Sequence, residues 1–87
     1  MSDNDFYKAV DVFARWNPAK VPVFMRKAEY SRYVPRIIEV KNDYLLIVGE
    51  LEIIISNDMG LFYNSCNLKQ KKYVEKIAKK FYTKLND

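Results

Sequence analysis

The stretch YLLIVGELEIIISNDMGLF, residues 44–62, decides the fold. It reads either as one helix closed by Gly60 or as two β-strands joined by a turn at NDMG. For strands, eight of the nineteen residues from Ile37 to Ile55 are β-branched, and NDMG is a serviceable hairpin turn. For a helix, Asn42 or Asp43 caps the start, and Tyr44, Val48, Leu51, Ile55 and Met59 form a stripe at steps of three and four. Gly60 then falls where a left-handed C-terminal cap belongs. Gly49 costs such a helix about 1 kcal/mol. Composition alone stands close to even. The length of the stripe, a little over about four turns, is the argument for the helix.

Downstream the pattern is plainer. Val74, Ile77, Ala78, Phe81 and Leu85 share one helical face, Asn67 is the expected cap, and a helix is predicted over 67–85. Upstream, "EYSRYVPRIIEVK" gives Tyr30, Tyr33, Val34, Ile37 and Lys41 a helical spacing. Pro35 either kinks one helix over 29–41 or sits in the first turn of one starting near Val34; the single helix is the expectation. Before it, "AKVPVFMRK" reads as an extended connection held open by Pro22. At the front, a helix over 3–16 follows from Phe6, Val10, Phe13 and Ala14, with Ser2 as cap, Val12 and Trp16 on another side, and Asn17-Pro18 as the stop.

The totals exclude several classes. Eighty-seven residues, 49% apolar and 15% aromatic, make one domain spanning 1–87 with a modest core. No apolar run approaches the roughly 18 residues of a membrane span. The amino-terminal MSDNDFYK carries two acids before its first base, which is not a signal-peptide pattern, so the expected compartment is the cytoplasm. Histidine is absent and Cys66 is the single cysteine, which removes the usual neutral-pH acid–base group, an internal disulfide and a thiolate metal cluster. Two glycines eleven residues apart make no phosphate-cradling loop. A non-catalytic chain without metal or cofactor is expected.

Three pieces, RWNPAKV, EYSRYVPRII and NDMGL, together resemble a small bacterial family of helical domains with a W-[DN]-P-x-x-V element, an E-Y-x-x-Y segment and an M-G-L stop. The resemblance runs from about Ala14 to Leu85. The chain departs from it in having Asn17 where Asp is usual and in a β-branched third helix. It implies an all-α fold, a bundle of three to four helices (about 3–16, 29–41, 43–59 and 67–85), with residues 44–60 helical. It further implies an immunity protein, one that neutralises a cognate bacterial toxin, with a nuclease domain as the candidate, as a monomer entering a heterodimer.

Charge is unevenly spread. Residues 1–36 carry seven bases and four acids, residues 37–66 one base and five acids, and residues 67–87 seven lysines and two acids. The acidic middle makes Asp43, Glu50, Glu52, Asn57 and Asp58, with Tyr63 in the following loop, the expected partner-binding residues. Leu46 and Ile53, seven apart, flank Glu50 and are either core or part of a docking surface, which could also serve self-association. The alternative function is a nucleic-acid-binding module using Lys69, Lys72, Lys76, Lys79 and Lys80, although that lysine face lacks arginine and regular aromatic interleaving. Membrane contact is not expected.

Overall fold

In the computed structural model, which describes residues 3–87, residues 44–58 are helical, and the fold is all-α. Five α-helices are found among the described residues, and no strand: α1 (Asp3–Trp16), α2 (Val23–Ser31), α3 (Val34–Glu39), α4 (Tyr44–Ile53) and α5 (Leu68–Leu85). The expected cap Ser2 lies outside the described residues.

The Asp43 carboxylate accepts from the Leu46 N–H at 3.2 Å and so starts α4. Ile47, Val48, Leu51, Ile54 and Ile55 are buried, so the expected stripe is present and wider than foreseen. At Ile54–Asp58 the helix widens into a π-helical turn. There the Met59 N–H reaches back five residues to the Ile54 carbonyl (2.8 Å), and the Ser56 hydroxyl donates to the Glu52 carbonyl (2.7 Å) as the ladder loosens. Gly60, at φ +64°, turns the chain out, as a left-handed cap requires.

The second element differs from expectation. A helix already begins at Val23, with Pro22 at its N-cap, where a missing N–H costs nothing. It ends at Ser31, because Pro35 has no N–H to offer the Ser31 carbonyl. A new helix then starts at Val34 with Pro35 in its first turn. One expected helix over 29–41 is therefore two, and the extended connection is short. The side chains expected on its inner face, Tyr30, Tyr33, Val34 and Ile37, are all buried nonetheless.

α1 packs against α2, α3 and α5, while α4 packs against α5 and α3, so four helices close a ring with α2 laid on α1. Phe13 is at its centre, stacked on Tyr30 (5.7 Å) and edge-on to Phe81 (4.9 Å). Asn17 leaves α1 in the left-handed region (φ +50°), bonded through its side chain to both backbone groups of Val21 and to the Tyr30 hydroxyl. Asn67 caps α5 by accepting from the Gln70 N–H at 3.1 Å. Val74, Ile77, Ala78, Phe81 and Leu85 are all buried, as their spacing requires.

A candidate binding groove between the first and last helices

With Phe13 and Phe81 turned inward, the next faces of α1 and α5 meet along an open groove of about 670 Å³. Each helix supplies a pair one turn apart: Val12 and Trp16 from α1, Tyr73 and Ile77 from α5. Trp16 and Tyr73, with the edges of the buried Val12 and Ile77 beneath them, form an apolar floor. Trp16 is held there by stacking on Phe13, with ring centroids 6.1 Å apart. Arg15 stands on the α1 rim, and Lys76, Lys79, Lys80 and Lys84 on the α5 rim. Asp11 is the one acid in the lining. It accepts from Lys84 across the groove (2.7 Å) and from Arg15 on its own helix (3.0 Å). The Lys84 hydrogen bond is the main cause holding the Asp11 carboxyl below its ordinary pKa; it outweighs the opposing effect of burial, and Arg15 adds to it. Five bases against one acid leave the lining at +4. Among the described residues, no ion pair involves Lys76, Lys79 or Lys80.

A smaller apolar section of about 340 Å³ shares Trp16 and Tyr73 with the groove and is walled by Ile55, Leu61, Phe62 and Val74, with Lys69 at its edge. Phe62 is 88% exposed, far from what a core phenylalanine shows. An apolar floor that shares two aromatic residues with such a section, under a basic rim, can take an anionic partner that also carries apolar groups.

The acids of the middle segment are placed differently from what their count suggests. Glu50 accepts from Arg36 of α3 at 2.7 Å, and Asp58 pairs with the same guanidinium. Glu52 accepts from Lys71 of α5 (3.0 Å) and from the Tyr63 hydroxyl (2.8 Å). Asp43 caps α4, and Asn57 is exposed in the π turn. Three of the expected contact carboxylates thus face cations from other helices, while Asp43 and Glu39, both exposed, are in no ion pair among the described residues. Tyr63 is half-buried against the core, and burial, with the Glu52 carboxylate beside it, pushes its phenol well above the ordinary tyrosine value. Leu46 and Ile53 are exposed, at 54% and 44%, so the core reading of that pair does not hold.

Of the five lysines singled out in the sequence, Lys76, Lys79 and Lys80 border the groove and Lys69 its apolar section, while Lys72 is exposed outside both linings. Among the members that sequence reasoning missed are Asp11, Arg15, Trp16, Tyr73 and Lys84. The arginine and aromatics that α5 seemed to lack come mainly from α1, sixty residues away. The position of Val12 and Trp16 off the main α1 stripe was the one signal available.

No family model, curated protein or solved structure matches the chain. Among the described residues no helix is long and apolar enough to cross a membrane.

Proposed function

We propose that this chain is a non-catalytic protein-binding inhibitor, of the immunity kind implied by its W-N-P and E-Y-x-x-Y elements, working in the cytoplasm on a bacterial toxin. On this reading the contact surface is the groove between α1 and α5. The observation that carries it is the open apolar floor beneath Lys76, Lys79 and Lys80, which are in no ion pair among the described residues. The sense of the charge is then the reverse of an acidic inhibitor meeting a basic enzyme. A chain of net +4 whose working groove is also +4 attracts an acidic partner at long range and at contact alike. The test is to purify the tagged chain together with the product of the gene immediately upstream. Retention at low salt, weakening as salt rises, supports the inhibitor; failure to retain that product at any salt overturns it.

A second reading, single-stranded nucleic acid in the same groove, is favoured by the position of Trp16 and Tyr73 among the lysines, where bases could stack while phosphates meet ammonium groups. It requires oligonucleotide affinity that falls log-linearly with salt; flat, weak binding removes it.

A further inference from the structure

We infer that the ligand of this groove is an acidic amphipathic α-helix presented by the partner protein, an inference that rests on the protein-binding reading above and gives the partner's surface its chemistry. The groove is the furrow between two packed helices, the seat a third helix takes when its ridge settles between theirs. The floor from Val12, Trp16, Tyr73 and Ile77 answers an apolar stripe. The α5 rim answers the flanks of that stripe. Lys76, Lys80 and Lys84 recur every four residues, about 6 Å apart along the axis. Carboxylates at the same four-residue interval on a facing helix have the same axial rise, and because such rows slant around each helix the two line up when the helices cross at about −50°. Arg15 supplies a cation on the opposite rim. The single acid of the lining is already held by Lys84 and Arg15, which limits repulsion of incoming carboxylates. An apolar side chain at the end of such a helix has a place beyond Trp16, against Phe62 and Leu61.

Trp16 is the sole tryptophan and lies in the floor, so its emission reports occupancy directly. The probe is a fluorescein-labelled peptide of about 18 residues, long enough to be partly helical, with leucine on one face and glutamate every fourth position beside it. Controls are the same composition broken by two central prolines, the lysine-for-glutamate peptide, and an oligo-dT. The expected result is saturable binding of the acidic helical peptide with a shift of Trp16 emission, at least about tenfold weaker for the proline-broken peptide and for the K76E/K80E double variant. Both lysines are exposed, so circular dichroism and the melting midpoint of that variant should be unchanged. Equal binding of the intact and broken peptides, tighter binding of oligo-dT, or an unmoved Trp16 signal would each overturn the inference. If the upstream product co-purifies undiminished with K76E/K80E, the helix in the groove is overturned while the inhibitor reading stands with another surface.

Discussion

Asn17 shows why one residue type can be required at one place. It sits at φ +50°, a region asparagine enters more readily than most side chains. Its amide donates to the Val21 carbonyl (3.2 Å), and its oxygen accepts from the Val21 N–H (2.8 Å) and the Tyr30 hydroxyl (2.7 Å). The Tyr30 oxygen in turn accepts from the Ala19 N–H (3.0 Å), so a buried ring pins the whole turn. Tyr30→Phe is expected to cost about 1–3 kcal/mol, since it strips a donor and an acceptor from a closed network. Asn17→Asp is expected to cost about 1 kcal/mol or less, since Arg26 still donates to the Val21 carbonyl. Urea midpoints order the two; a larger fall for Asn17→Asp than for Tyr30→Phe contradicts the network. Asp11 gives a pH signature. Its folded pKa is depressed, so its link to Lys84 contributes fully above the unfolded value near about 4 and is lost as pH falls through the lower folded value. An NMR titration of the Asp11 carboxyl should place its midpoint below the ordinary aspartate value, and Lys84→Met should move it up.

At the scale of elements, the two glycines of the deciding stretch make opposite predictions from the same substitution. An added methyl group meets nothing within 4 Å at either position. Gly49 has ordinary helical geometry, so Gly49→Ala should stabilise by about 0.8–1 kcal/mol. Gly60 has a positive φ, so Gly60→Ala should destabilise by about 1–2 kcal/mol through the backbone alone. Thermal melts of the two variants on either side of the parent check the pair; shifts of the same sign contradict it. The helix and its Gly60 end were legible, and its start to within Asn42 or Asp43, because stripe, cap and stop are local. The π turn was not, because nothing in the residue pattern separates a backbone bond reaching back five residues from one reaching back four. The break between α2 and α3 was half legible. Pro35 admits a kink or a first-turn position, and the structure takes the first-turn position rather than the expected single helix. Pro22 reads as a breaker, yet the same missing N–H makes it a good helix start.

Across the whole molecule, Phe13 touches the rings of Trp16, Tyr30, Tyr33 and Phe81, joining α1 to the α2–α3 region and to α5. Phe13→Ala should therefore cost about 3–5 kcal/mol, a large share of the stability of a domain this size. A denaturation midpoint barely moved would show that the ring is not central. Phe13 was readable from spacing, and so was the buried face of α5. The candidate site was much less so. Segment charge counted Glu50, Glu52 and Asp58 as free, yet their partners Arg36 and Lys71 come from other helices. The groove joins the off-stripe side of α1 to the lysine side of α5, a neighbourhood that only the tertiary packing creates.

The loop that carries Phe62 also carries Cys66, the only thiol in the chain, exposed three residues after Tyr63 and three before Lys69, both of which border the apolar section. A thiol-reactive dye therefore attaches at one known address without altering the sequence, close to the mouth of that section. Energy transfer from Trp16 to such a dye would turn the native chain into its own ruler for the spacing between loop and floor.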